Sequence, residues 1–179
     1  YFRQQFAQVT NPPIDPLRES IVMSLETAFG PELNIFEETP EHARRAIVSS
    51  PVLSHSKFQQ LQSVDLPGFA SETIDLNYVE SEGLEAAILR VCKQAEAAVS
   101  AGRSQLVLSD RNIRENYLPI NALMATGAVH HYLIKVGLRC DCNLIVETAV
   151  ARDAHHFAVL LGFGATAVYP YLAYDIIAD

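Results

Sequence analysis

The sequence predicts an α/β fold: a short four-stranded parallel sheet of βα repeats, half-barrel-like, preceded by an irregular, proline-rich helical N-terminal region. Three observations carry that prediction. From Thr73 onward, short apolar runs alternate with stretches of helical period. Each of three helical stretches stops at a glycine: Gly102, Gly137 or Gly162. Seven of the nine prolines (Pro12, Pro13, Pro16, Pro31, Pro40, Pro51, Pro67) fall in the first part of the chain, where no such rhythm exists.

Taken in order, residues 1–73 form the irregular part and residues 74–179 the βα-repeat part. Within Asn11–Pro16, three prolines fix φ and remove three backbone donors, which makes a stiff, extended strap. Asp15 and Pro16 then supply an N-cap acceptor and a proline at the first helical position. The helix they open is predicted from Pro16 to about Phe29, with Leu17, Ile21, Val22, Leu25, Ala28 and Phe29 on one stripe and Gly30 closing it. A shorter helix is expected within Pro51–Gln62. The remainder of this part reads as loop that packs on other structure.

In the regular part, a strand around Thr73–Leu76 leads into a helix from about Leu84 to Ala101, whose stripe is Leu84, Ile88, Val91, Ala95 and Ala98. Gln105–Ser109 is a short apolar strand. Pro119 is placed at the first position of a helix reaching Val136. Asn143–Ala149 is a continuous apolar strand of the kind buried on both faces. A helix over Arg152–Leu161 and a strand over Ala165–Tyr169 complete the set. Strand and helix alternating at this rhythm mean parallel pairing with crossover helices.

Composition narrows the function classes. With 49% apolar and 19% charged residues the chain is an ordinary globular one. A net charge of −8 without a run of Lys and Arg argues against nucleic acid or an anionic membrane surface as partner. No apolar stretch approaches the ~18–20 residues of a membrane span. Three cysteines, Cys92, Cys140 and Cys142, are odd in number and irregularly spaced, which points to a reducing cytoplasm rather than a disulfide framework. There is no signal-peptide pattern, and a start at Tyr1 reads as a piece of a longer polypeptide.

Ligands of parallel α/β sheets collect at strand C-termini. Those ends carry Ser109, Asp110, Arg111, Glu147, Thr148 and Tyr169. Asp110 is expected to pair with Arg111 or Arg114 or to cap a loop. Glu147 is either a general base or, with its neighbours, part of a buried polar network that holds loops. No phosphate-binding glycine loop accompanies them, and Ser109 has no G-x-S-x-G elbow. His130-His131 and His155-His156 each lie in a predicted helix, where adjacent side chains diverge by about 100°. One of each pair is therefore expected to face the sheet and the other to face away. Cys140 and Cys142, if extended, share a face but precede a strand. This spacing is poor for zinc.

The strap Gln8-Val9-Thr10-Asn11-Pro12-Pro13-Ile14-Asp15-Pro16-Leu17-Arg18-Glu19, preceded by Tyr1-Phe2-Arg3-Gln4-Gln5-Phe6-Ala7, resembles the central domain of the large subunit of glutamate synthase. Leu108-Ser109-Asp110-Arg111, Ala128-Val129-His130-His131, Val146-Glu147-Thr148-Ala149, His155-His156-Phe157-Ala158 and Ala167-Val168-Tyr169-Pro170-Tyr171-Leu172 are similar to that family in the same order. The resemblance implies a non-catalytic connecting domain between an N-terminal amidotransferase domain and an FMN-binding synthase domain, with a small subunit as a further partner. The parent reaction it implies converts glutamine and 2-oxoglutarate into two glutamates with NADPH or ferredoxin as reductant. The implied FMN, iron–sulfur cluster and amidotransferase cysteine all lie outside this segment. By the same resemblance, Thr10, Asn11 and Ile14 line the entrance of an internal ammonia tunnel, a role the donor-free prolines are compatible with. Rigid packing alone would also account for the strap. Two further readings compete: a stand-alone half-barrel enzyme using Asp110, Glu147 and a histidine, and a purely structural module with a large exposed apolar patch.

Overall fold

A computed structural model describes residues 14–178. Asp15 opens helix α1 (Pro16–Val22), its carboxylate accepting the backbone N–H groups of Leu17 and Arg18 at 3.0 and 2.9 Å. The expected continuation to Phe29 does not occur. Thr27–Phe29 is instead strand β1, antiparallel to β2 (Ala46–Val48). Burial decides the outcome: Phe29 is fully buried through this pairing, whereas no residue of α1 is. Gly30 is not a helix stop. It has φ +129°, donates its N–H to Asn143 Oδ1 at 2.8 Å, and an added Cβ would lie 3.1 Å from the Arg44 carbonyl oxygen.

Helix α2 (His55–Gln62) starts at the Ser54 cap. It lies within the expected Pro51–Gln62 stretch, and the residues before it run beside the sheet. The Leu53 N–H donates to the Val168 carbonyl (2.9 Å), and the Val168 N–H to that of Pro51 (2.8 Å). Next come β3 (Ser71–Asp75), β4 (Asn77–Val79), α3 (Leu84–Ser100) and β5 (Gln105–Ser109). Pro119 does not start a helix. It ends strand β6 (Tyr117–Pro119), which pairs antiparallel with β4, a place where a residue without an N–H is tolerated. Asn121 caps the following helix, α4 (Ala122–Lys135), through bonds from the N–H groups of Leu123 and Met124. The chain closes with β7 (Asn143–Glu147), α5 (Ala154–Gly162), β8 (Ala167–Tyr169) and α6 (Tyr171–Ala178).

The sheet is four-stranded and parallel, in the order β3-β5-β7-β8. Its order follows the chain and never reverses, as in part of a barrel rather than a doubly wound sheet. The pleat sends alternate residues to opposite faces. Leu106, Leu108 and Leu144 join α3 and α4 in one cluster, with Ala87, Val91, Ala95, Val129 and Leu133. Val146 and Val168 meet Leu160 of α5 on that same outer side. The opposite face, formed by Val107, Ile145, Ala167 and Tyr169, is what a closed barrel would turn toward its axis. Here Phe29, Leu53, Phe58, Leu61, Phe69 and Tyr171 fill it. The N-terminal region thus packs on the sheet and shares its core.

Candidate functional site

Parallel register sets Ser109 beside Glu147, and Glu147 beside Tyr169, at the C-terminal ends of β5, β7 and β8 on the inner face. The Ser109 hydroxyl donates to Glu147 Oε2 at 2.6 Å, and Arg111 Nη1 reaches Oε1 at 3.2 Å. The guanidinium lies 4.7 Å over the Tyr171 ring, so Arg111 is held by charge on one side and a π face on the other. Asp110, one residue past β5, accepts the Thr148 hydroxyl at 2.5 Å and the Ala149 N–H at 3.0 and 3.2 Å. It therefore caps the loop after β7, and neither Arg111 nor Arg114 pairs with it. The buried Tyr171 hydroxyl makes no well-formed hydrogen bond. Burial first, then the charge of Asp110, raises its pKa above the usual phenol range.

A third carboxylate escaped the sequence reading. Asp75, at the end of β3, accepts the Asn77 N–H (2.9 Å) and Asn77 Nδ2 (2.7 Å) on one oxygen, with Asn112 Nδ2 (3.0 Å) and Arg114 Nη2 (3.2 Å) on the other. The Asp-x-Asn step after an apolar strand was its sequence signal, an aspartate bonding the backbone two residues on. Burial pushes the Asp75 carboxyl up, but the Asn77 and Asn112 bonds and the Arg114 charge outweigh it and hold the group below the ordinary carboxylate value. These contacts tie the 110–116 loop to β3 while Asp110 ties the next loop to β5. Each of the six carboxylate oxygens accepts at least one internal donor, and Asp75 accepts four in all. Their observed contacts are those of groups that hold loops to the sheet end.

The histidines do not converge on this end. His130 is half-buried and His131 exposed, so the pair diverges as expected. Arg139 organises the first of them: its Nε donates to His130 Nδ1 at 3.0 Å, Nη1 to the Cys142 carbonyl at 2.7 Å and Nη2 to the Gly164 carbonyl at 2.8 Å. Burial, then the charge of Arg139, lowers the His130 pKa. Gly164 is required here, since a Cβ would sit 2.3 Å from His130 Nδ1 and its φ is +112°. His155 and His156 border a groove of about 290 Å³ with Asn121, Leu123, Val150 and Ala151, and none of the three carboxylates lines it. The histidine that does reach the sheet is His55, whose Nδ1 lies 2.8 Å from the Tyr169 hydroxyl. Arg139–Asp141 form a 3-10 turn, which leaves Cys140 exposed and Cys142 buried instead of sharing a face. Among the described residues no three His, Cys, Asp or Glu side chains are grouped to hold a metal ion.

Of the three strap residues, Thr10 and Asn11 lie outside the described residues. Ile14 is 53% exposed and directly precedes the α1 cap. No helix among the described residues is long and apolar enough to cross a membrane.

The family model described as the glutamate synthase central domain matches residues 1–179. A glutamate synthase (NADH) of Schizosaccharomyces pombe is 46% identical over 180 residues, covering 98% of this chain and 8% of that protein. The glutamate synthase (NADPH) large chain of Bacillus subtilis is 45% identical over 174 residues, covering 97% of this chain and 11% of its own length. Ferredoxin-dependent glutamate synthase 1, chloroplastic/mitochondrial, of Arabidopsis thaliana is 45% identical over 179 residues, with 98% and 11% covered. The chain thus spans roughly a tenth of the length of these curated relatives.

Proposed function

The chain belongs to the glutamate synthase central domain family, and from that premise we propose that it is a non-catalytic connecting domain of a glutamate synthase. In this reading it positions an amidotransferase domain and an FMN-binding domain of the same polypeptide and helps line an ammonia route between them. The parent forms two glutamates from glutamine, 2-oxoglutarate and a reductant. The observation that carries the non-catalytic reading is that Asp75, Asp110 and Glu147 are each engaged by internal donors from neighbouring loops and strands at the sheet end where a barrel enzyme would act. That geometry speaks against a stand-alone enzyme using Asp110, Glu147 and a histidine, since their removal would undo loops before it touched chemistry. Residues 1–73 act as a packing part and residues 74–179 as the βα-repeat part of one unit.

Identity is 46% to the NADH relative and 45% to both the NADPH and the ferredoxin-dependent ones, so overall similarity is the same across the donor types. The cysteines do not fit an iron–sulfur cluster, which needs closely spaced thiolates. Cys92 and Cys142 lie in the core and Cys140 is exposed. Burial raises the Cys92 thiol and pushes Cys142 up to about 11, which keeps both protonated. Such a cluster, FMN and a small subunit would all engage other parts of the parent. Free buried thiols are in keeping with a reducing, cytoplasm-like compartment.

Thr10, Asn11 and Ile14 are the residues we assign to the tunnel wall. In the full-length enzyme Ile14→Trp should obstruct or breach that wall. Glutamine hydrolysis then continues, glutamate formed per glutamine consumed falls, and free ammonia appears in the medium. An unchanged two-to-one stoichiometry without ammonia release would refute the assignment. The isolated 179-residue chain should neither hydrolyse glutamine nor bind FMN.

A further inference from the structure

We propose that His130 is a proton-operated latch: as the neutral imidazole it fixes Arg139 and the turn before β7, and a proton taken up at Nδ1 releases both. Hydrogen-bond direction carries the inference. Arg139 Nε can only donate, so the His130 Nδ1 it reaches at 3.0 Å offers a lone pair, which leaves the ring proton on Nε2. A proton on Nδ1 turns that acceptor into a second donor and sets two cations in contact. The ring has no room to retreat on one side, because its Cβ, Cγ and Nδ1 fill the space a side chain at Gly164 would take. Other titratable and charged groups surround it. His131 follows it on α4, the ring centroids 5.2 Å apart. Cys140 and Cys142 on the turn, with Glu32 and Arg45 from the N-terminal region, line a groove of about 270 Å³ that His130 and Arg139 share. Burial, then the charges of Arg139 and His131, disfavour the imidazolium here.

What the latch holds follows from the other bonds at this corner. Arg139 gives its remaining donors to the carbonyls of Cys142 (2.7 Å) and Gly164 (2.8 Å), one just before β7 and one in the connection to β8. The same corner anchors the N-terminal region. The Glu32 N–H donates to the Cys140 carbonyl at 2.9 Å, and the Gly30 N–H to Asn143 Oδ1 at 2.8 Å. Departure of the guanidinium therefore loosens the turn and the Gly30–Glu32 segment fastened to it, while the ladder of the sheet remains. The folded state lowers the His130 pKa, so the closed latch is fully supported above the ordinary histidine value of 6.5. That support is lost as pH falls through the lower folded value. Mild acid thus acts on this corner before it reaches the carboxylates at the other end of the sheet.

The test is amide hydrogen exchange of the full-length polypeptide by mass spectrometry at about pH 7.5 and about pH 5.5, corrected for the intrinsic rate at each pH. One unit below 6.5, opening of a site whose closed form refuses the proton rises by up to about tenfold. Peptides holding Gly30, Glu32, Asp141 and Gly164 should therefore lose about two- to tenfold in protection at the lower pH. His130→Asn sets an amide oxygen where Nδ1 stood and cannot titrate, so its protection in those peptides should be the same at both pH values. Deuteration of the histidine C2–H in the unaltered protein reads the His130 midpoint without any substitution, and that midpoint should lie below 6.5. Wild-type protection that does not change, an equal loss in His130→Asn, or a midpoint at or above 6.5 would each overturn the latch.

Discussion

Asp75 shows how one side chain can join sheet and loops. Four donors from two segments meet its two oxygens, and its pKa is depressed in the folded state. A depressed carboxylate contributes stability that is complete above its unfolded value, near 3.8, and is lost as pH falls through the lower folded value. Asp75→Asn should therefore be less stable than wild type at neutral pH, with the difference shrinking as pH falls below 3.8 through the lower folded value. Because the side chain is 35% exposed, the neutral-pH loss should be at the low end for a charged hydrogen-bonding group, about 1–2 kcal/mol. Urea unfolding at pH 7 and pH 3 measures it, and an unchanged pH profile would contradict the role. At the same end of the sheet, Glu147 and Asp110 were legible as strand-end residues, since apolar runs announce where strands stop. Their partners were not. Which donor reaches which oxygen depends on the parallel register, and no spacing in the sequence encodes register between strands 38 residues apart.

At the level of elements, the boundary between success and failure follows contact distance. Helix α3 and strands β5 and β7 were legible because hydrophobic period and a terminating glycine are local signals. Strands β1, β2, β4 and β6 have three residues each and exist through pairing with a distant segment, so Phe29 read as helix stripe and Pro119 as helix start. Tertiary burial overrides weak local propensity in such short pieces. The α4 start makes the point testable. The sequence put it at Pro119, whereas the Asn121 side chain supplies the acceptor for the N–H groups of Leu123 and Met124. Asn121→Ala should cost about 1 kcal/mol, the ordinary value of an N-cap, whereas Pro119→Ala should cost far less. Thermal or urea denaturation of the two variants side by side distinguishes them.

For the whole molecule, the informative feature is a half-barrel with its inner face occupied. Helices α3, α4 and α5 cover the outer face, and the region upstream of β3 supplies Phe29, Leu53, Phe58, Leu61 and Phe69 to the inner one. A sheet so arranged is a two-sided core whose inner face is taken up by packing, in keeping with the connector role proposed above. Deleting residues 1–70 removes all five of those side chains and exposes Val107, Ile145 and Tyr169. At ~1.5–3 kcal/mol for each large apolar side chain, the loss of these five is comparable to the whole ~5–15 kcal/mol stability of a typical domain, and the backbone bonds of 51–53 to β8 go with it. The deleted protein should lack a cooperative unfolding transition and bind a hydrophobic dye. A folded, monomeric product would show that the repeats stand alone.

That inner-face filling has a consequence for biosynthesis. The aromatic and aliphatic groups destined for it leave the ribosome first, and Tyr169, against whose ring Phe58 stacks at 4.4 Å, emerges near the end of the segment. Until then the nascent chain carries greasy side chains with nowhere to go. The final strand acts as the latch that ends that interval.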